Sequence, residues 1–419
     1  MKVLVVGSGG REHAICWKLL QSPKVDKLYC APGNAGIGEL AELVPIGAME
    51  FDKLVDFAKS EGIDFTVVGM DDPLVGGIVD RFESEGLKVF GPKANAAIIE
   101  GSKAFSKELM KKYNIPTAGY ETFDDYDKAV EYVKNGDFPV VLKADGLALG
   151  KGVLICNTLD EALEGLNTIM VDKKFGESGN KVVIEEFLTG QEMSVLSFCD
   201  GKTIVPMVSA QDHKRALDGD KGLNTGGMGT FSPSRVYTSE LAKECMETIF
   251  KPTVDALNKE GRTFKGIIFF GLMLTPKGMK VIEYNARFGD PETQVVLPRL
   301  KSDLMEIFEA CVDGTLDQVN VEWEDNGTAC VVLASGGYPE KYTKGYEITG
   351  LEDAKKADNI VVFHAGTALK DGKFVTNGGR VLGITGIGKN LDEAIKIAYE
   401  GVKLVDFKDK HFRTDIGVK

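Results

Sequence analysis

The chain is poor in the residues on which several chemistries depend. Its 419 residues include four histidines, two tryptophans and seven cysteines. No two cysteines form a Cys-x-x-Cys pair, which excludes the common structural zinc spacings. An odd, scattered set also excludes a disulfide framework, and reduced thiols in a cytoplasmic protein are expected. No Gly-x-Ser-x-Gly elbow and no defensible Cys–His pairing occur, so covalent catalysis has no support. No apolar run approaches the ~18 residues of a membrane span. The opening 1–7 reads as a buried strand, because its apolar run is too short for a signal peptide. A basic excess is missing too: 50 Lys and Arg stand against 63 Asp and Glu, a net charge of −13. That argues against a non-specific nucleic-acid or anionic-membrane surface. If such a chain handles anions, its cations must be gathered locally. Low-complexity runs and solenoid repeats are absent as well.

What remains is an ordinary globular composition, 43% hydrophobic and 27% charged, long enough for about three domains. Residues 1–101 alternate short apolar strands (3–6, 27–30, 65–68, 88–90) with helix-period segments (12–20, 51–60, 74–85). That pattern predicts an α/β fold whose first domain is a doubly wound parallel sheet. A helix is expected over 102–113. A small α/β unit follows at 123–190, with helices at 127–134 and 159–168 and strands at 139–143, 152–155 and 181–185. A strand-rich body, 102–122 with 191–325, holds strands at 192–199 and 202–206 and helices at 238–260 and 302–313. The tail, 326–419, has strands at 328–334, 359–367, 373–376 and 380–388 and a helix at 391–402.

The most informative stretch lies in the body. Apolar runs at 266–274 and 279–282 are joined by Thr275-Pro276-Lys277-Gly278, which reads as a β-hairpin. On its second strand Glu283 and Asn285 are two apart and leave the same face. A carboxylate beside an amide oxygen suits Mg²⁺, and the same segment also reads as a strand end with solvated charges. Arg287 shares that face if the strand continues, and its fork of donors suits a carboxylate or phosphate.

Other segments carry two readings each. Gly7-Ser8-Gly9-Gly10-Arg11-Glu12-His13 joins the first strand to a helix. It lacks the third glycine of a dinucleotide fingerprint, which leaves a phosphate of a smaller ligand or a plain tight turn. Ala31-Pro32-Gly33-Asn34-Ala35-Gly36 follows the second strand, and both loops should line one crevice at the carboxyl edge. Lys143 ends an apolar strand next to the Gly-rich turn 145–152, which includes Gly150 and Gly152. Lys103 opens a helix, where a cation opposes the dipole. Each lysine is either a phosphate ligand or a solvated charge. The stretch Glu185–Glu192 is a domain linker or an edge for a purine, with Glu192 toward ribose. His213 is a general base or a plain loop histidine.

In this order, the pieces resemble the glycinamide ribonucleotide synthetase family of the ATP-grasp superfamily. The resemblance rests on 7–14 (GSGGREHA), 32–36 (PGNAG), 100–105 (EGSKAF), 211–215 (QDHKR), 224–229 (NTGGMG), 285–294 (NARFGDPETQ) and 363–369 (FHAGTAL), and spans essentially the whole chain. It implies an N-terminal Rossmann-like domain at 1–101, an ATP-grasp body with its lid at 123–190, and a C-terminal domain at 326–419. It implies ligation of glycine to 5-phosphoribosylamine at the expense of ATP, through a glycyl phosphate. ATP would meet Lys103, Lys143, Gly150, Gly152, Glu185, Phe187, Leu188 and Glu192. Glu283 and Asn285 would hold Mg²⁺ or Mn²⁺. Arg287, Asp212 and Lys214 would serve the chemistry. Gly9, Gly10, Asn34, Asn224, Thr225, Gly226, Gly227 and Met228 would receive substrates. A monomer with no nucleic-acid or membrane partner is expected. Two departures stand out. Asp71 occupies a place where the family usually has Glu, and the first hairpin strand, Phe269-Phe270-Gly271-Leu272-Met273, carries no acid.

Overall fold

The computed structural model describes residues 1–147 and 152–418. The amino-terminal unit is a five-stranded parallel sheet. Its order is Glu42–Leu43, Lys27–Pro32, Lys2–Gly7, Phe65–Val68, Val89–Phe90. The direction of winding reverses between Lys2–Gly7 and Phe65–Val68, so the crevice beyond their carboxyl ends is the natural ligand edge. The loops at 8–9, 33–36 and 69–70 all open there. Gly7 sits at φ +138, and a Cβ there would lie 2.4 Å from Glu12 Cγ, so only glycine lets the chain turn so closely over that carboxylate.

The body is a four-stranded antiparallel sheet in the order Ile204–Pro206, Gln191–Asp200, Lys265–Thr275, Gly278–Asn285. The expected hairpin is present. A bulge beside Gly271 and Leu272 shifts its register, leaving Gly271 opposite Glu283. The lid is a second antiparallel sheet, Tyr120–Phe123, Val182–Glu186, Val140–Ala144, Val153–Cys156. The tail contributes Gly327–Ala334, Arg380–Gly388 and Ile360–His364 to a five-stranded sheet. Its other two strands, Gln211–Asp212 and Gly229–Ser232, come from the middle of the chain.

Several local expectations need correction. The helix read over 74–85 is two, Asp71–Val75 and Ile78–Glu83; Gly76-Gly77 breaks it, with Gly77 at φ +91. The strand read over 359–367 is two, Ile360–His364 and Thr367–Lys370, because the chain turns at Ala365-Gly366. The helix Ala94–Gly101 and the short strands at 42–43, 120–123, 211–212 and 229–232 carry too little periodicity to be read beforehand.

The cores tell how the units are joined. Leu4, Val6 and Val68 of the parallel sheet share one core with Val195, Phe270 and Tyr284 of the body. On the other face Val3, Val5 and Ile15 pack with Phe269, Phe288 and Phe308. The tail has a core of its own, with Phe231 inserted. The lid is likewise separate, built on Leu142, Ala144, Ala162, Leu166 and Ile184.

Candidate active site

The lid meets the body through buried amines. Lys107, on the helix Lys103–Lys112, lies 3.1 Å from Glu185 Oε2, and Lys143 lies 3.0 Å from Oε1. All three side chains are at most 5% exposed. Burial pushes the Lys107 amine down to about 8. Lys143 also donates to Ile282 O on the hairpin. Lys103 donates to Gly146 O at 2.8 Å, and burial lowers its pKa as well. The strand-end turn is pinned by Asp145, which accepts from Ser102 Oγ and the Ala104 amide, both at 3.0 Å. Ser102 also caps that helix by accepting from the Phe105 amide.

Glu283 faces the cleft from the hairpin, with Gly271 opposite it making room: a Cβ there would meet Glu283 Cγ at 2.9 Å. Desolvation by the cleft walls opposes its ionised form, yet Lys214, Lys143, Lys103 and Arg287, in that order, hold its pKa below the ordinary value. Lys214 Nζ stands 3.8 Å from Glu283 and 3.7 Å from Glu192. Desolvation opposes its charge, and Asp212, Glu283 and Glu192 raise its pKa well above normal. The Asn285 amide is satisfied when its nitrogen donates to Glu100 Oε1 at 3.0 Å and Tyr284 O at 3.3 Å, which turns its oxygen away from Glu100. An ionised carboxylate with a neighbouring amide oxygen is a hard donor pair that fits a small divalent cation. Among the described residues no three His, Cys, Asp or Glu side chains gather into a metal cage.

The floor of the cleft is made of arginines. The hairpin strand stops at Asn285, so Arg287 does not continue its face. It turns to Glu100 at 2.8 Å and Asp71 at 3.7 Å. The shorter Asp71 therefore serves the floor: burial opposes its charge, but Arg287 and Arg11 lower its pKa. Glu100 also accepts from the Ala286 amide at 2.7 Å. Arg11 pairs with Glu12 at 2.6 Å and donates to Phe288 O. The tail supplies Arg380, whose Nη1 donates to Gly226 O at 2.8 Å and Asp290 O at 2.9 Å. Tyr338 OH accepts from the Gly226 amide at 3.1 Å. Glu292, buried nearby, is pushed up to about 7 by desolvation and then by Asp212.

The remaining expectations land as follows. Asp212 is raised by burial beside Lys214. Asn224 ends the short strand Lys221–Asn224, and Thr225 both donates from its amide and hydroxyl to Lys214 O and accepts from the Gly227 amide. Met228 is buried and its amide donates to His213 O. His213 itself is buried, its Nε2 accepting from the Gly417 amide at 3.4 Å, which turns the ring toward the chain end. The Gly9 amide is occupied by Glu12 Oε2 at 2.7 Å, while Gln294 packs on Gly10. Asn34 braces three segments: its Nδ2 donates to Ser8 O and His364 O, and its Oδ1 accepts from the Ile37 amide. Phe187 and Leu188 lie on the open segment between lid and body, with Phe187 exposed. Gly152 pairs by its carbonyl with the Ala144 amide. Gly150 lies outside the described residues. Sequence reasoning missed Lys107, Glu100, Glu292, Arg380 and Tyr338 as parts of the site. Only the motif letters of Glu100 and Glu292 hinted at them.

A hairpin carboxylate ringed by amines, beneath an antiparallel lid and beside a parallel-sheet module, defines a nucleotide-dependent enzyme of the ATP-grasp class. The chain belongs to the phosphoribosylglycinamide synthetase family: it matches the N domain over residues 1–100, the ATP-grasp (A) domain over 101–293 and the C domain over 328–419. The phosphoribosylamine–glycine ligase of Caldanaerobacter subterraneus subsp. tengcongensis is 52% identical over 99% of each chain. That of Halalkalibacterium halodurans is 51% identical over 100% of this chain and 97% of its own. A bifunctional purine biosynthetic protein of Pichia angusta is 51% identical, but this chain spans 53% of it. Among solved structures, the phosphoribosylamine–glycine ligase of Thermotoga maritima superposes at TM-score 0.85 with 36% identity, covering all of both chains. The biotin carboxylase domain of Hydrogenobacter thermophilus 2-oxoglutarate carboxylase, solved with MgADP and bicarbonate, shares the fold at TM-score 0.74 with 16% identity, over 98% of this chain and 91% of its own.

Proposed function

We infer that the chain is an ATP-dependent ligase joining glycine to 5-phosphoribosylamine, giving glycinamide ribonucleotide, ADP and phosphate, in de novo purine biosynthesis. A glycine carboxylate oxygen attacks the terminal phosphorus of ATP and ADP leaves. The ribosylamine nitrogen then attacks the carbonyl carbon of the glycyl phosphate, phosphate departs with the C–O bond electrons, and the nitrogen loses a proton. The observation that carries this reading is the convergence of Lys214, Lys143, Lys103 and Arg287 on Glu283. Four cations around one carboxylate support a role for this end of the cleft in bringing a terminal phosphoryl group and a small carboxylate together. No protein nucleophile is required; positioning and charge neutralisation do the chemistry.

Lys103 and Lys143 face the polyphosphate. Glu185 reaches adenine less directly than a free carboxylate would, since Lys107 and Lys143 hold it, and Phe187 and Leu188 offer backbone groups. Glu192 faces ribose. Asp212, Lys214 and residues 224–228 surround glycine and the amine, and Gly9, Gly10 and Asn34 shape the sugar-phosphate end. Glu283 and Asn285 would hold Mg²⁺ or Mn²⁺, which when bound neutralises charge on the transferring phosphoryl group. The seven buried free thiols suit the cytoplasm. No described helix is long and apolar enough to cross a membrane. The test is ADP release with each component omitted in turn. Release should require ATP, a divalent cation, glycine and ribosylamine together, and rapid turnover without glycine would reject the reading.

A further inference from the structure

The segment between Asp212 and Gly229 leaves the tail's sheet, forms the small antiparallel pair Arg215–Leu217 with Lys221–Asn224, and returns. Two such short strands are not stable by themselves, and Leu217 and Leu223 are exposed on them. The pair is held instead from the far end of the sequence. Arg413, fully buried, grips both carboxylate oxygens of Asp415 at 2.7 Å and reaches Asp220 Oδ1 at 3.0 Å and Arg215 O at 3.1 Å. Asp415 accepts from the Gly219 amide, the Thr414 amide donates to Asp218, and His411 Nε2 lies 2.7 Å from Ala216 O. The gripping segment is itself rigid. Ala334 pairs with His411, Tyr399 OH donates to Arg413 O and accepts from the Ile416 amide, and Ile416 is buried in the tail core.

We propose that residues 411–417 form a clamp, with Arg413 as its positioning residue, that fixes the 213–224 hairpin and so sets where Lys214 and Thr225 stand. The clamp governs capture of glycine and ribosylamine first, through Thr225 and the loop it carries, and ATP less, through Lys214 beside Glu192 and Glu283. This rests on the reading that Lys214 and the 224–228 loop face those two substrates. Arginine is the residue for the task, because its planar fork meets a carboxylate and a second acceptor at fixed angles, which a lysine cannot do. Holding the hairpin before substrate arrives removes an ordering cost from binding.

The test uses the full-length enzyme. Asp218→Asn combined with Asp220→Asn removes both charges that the loop offers the clamp, weakening its loop side without touching the tail core, and Asn tolerates the positive φ of Asp220. Arg413→Lys and Arg413→Gln cut the other side. Amide hydrogen exchange in 213–224 should quicken about tenfold, and KM for glycine or ribosylamine should rise about tenfold with a clearly smaller rise in KM for ATP. Arg413→Lys should lie between wild type and Arg413→Gln. If Arg413→Gln does not fold, the aspartate pair decides the matter. Unchanged exchange, a loosened hairpin with unchanged acceptor KM values, or an equal rise in KM for ATP each overturns the clamp. Failure of the ligase reading would look different: wild type would then release ADP without needing glycine.

Discussion

At the lid end of the cleft, Lys107 and Lys143 share one carboxylate, Glu185, and Lys103 is bonded to a carbonyl oxygen. At the floor, Arg287 meets Glu100 and Asp71, Arg11 meets Glu12, and Arg380 meets Asp290 at 3.6 Å. Both clusters are largely buried, but the lid end sets three amines around one shared carboxylate, whereas the floor's three arginines meet four carboxylates and leave no excess of cations. The packing runs parallel to this. The floor lies where the parallel sheet and body share two cores, whereas the lid has a core of its own and touches the body through polar groups. A buried excess of ammonium groups is costly until an anion arrives. The lid end is therefore built to be completed by a polyphosphate, and the floor is complete beforehand and fixes geometry.

The largest effect should come from the residue on which the cations converge. Glu283→Ala should lower the rate of ADP release at saturating ATP by on the order of 10³-fold, with little change in unfolding midpoint because the side chain is 31% exposed. Undiminished turnover would remove Glu283 from the metal role. The next largest tests the floor. Arg287→Ala leaves Glu100 buried without its partner, and burial already raises that carboxyl's pKa. Stability should fall by about 3–5 kcal/mol, read from urea unfolding. A loss below about 1 kcal/mol, as for an exposed pair, would show that the floor is not the rigid end.

A pH series sharpens the same contrast. Glu292, raised to about 7 in the folded chain from 4.5, binds its proton more tightly folded than unfolded. Its contribution to stability is full below about 4.5 and is lost as pH rises through about 7, a swing of about 3 kcal/mol at most. Glu292→Gln should flatten that part of the stability profile. A profile unchanged by the substitution would place the carboxyl in water.

Much of this was legible beforehand because local periodicity and hard chemistry coincide there. The hairpin, the parallel strands and the spacing of Glu283 and Asn285 follow from alternation along a single segment. The condition on which Arg287 would share the face of Glu283 and Asn285 fails because the strand ends at Asn285, and its partner Glu100 lies 187 positions away. Arg380, Tyr338 and the clamp residues are invisible for the same reason: more than a quarter of the chain separates each of them from the loop it holds, and no local pattern marks a long-range hydrogen bond. Lys107 reads as an ordinary helix lysine, since its partners, Glu185 and Thr117, lie on segments that meet it only in the fold.

The smallest expected effect bears most directly on the comparison. Lys143→Ala removes one of two amines on Glu185, and Lys107 remains at 3.1 Å, so no charge is stranded. The lost ion pair is offset by relief of a buried ammonium, and stability should stay within about 1 kcal/mol of wild type. ATP, however, loses a cation aimed at its phosphates, and KM for ATP should rise about tenfold, equivalent to one charged hydrogen bond. Measured side by side, Lys143→Ala should shift nucleotide binding without the fold, and Arg287→Ala the fold as well as the chemistry. If Lys143→Ala instead costs about as much stability as Arg287→Ala, the lid lysines are structural ties like the floor arginines, and the excess charge at the lid is not there for the nucleotide.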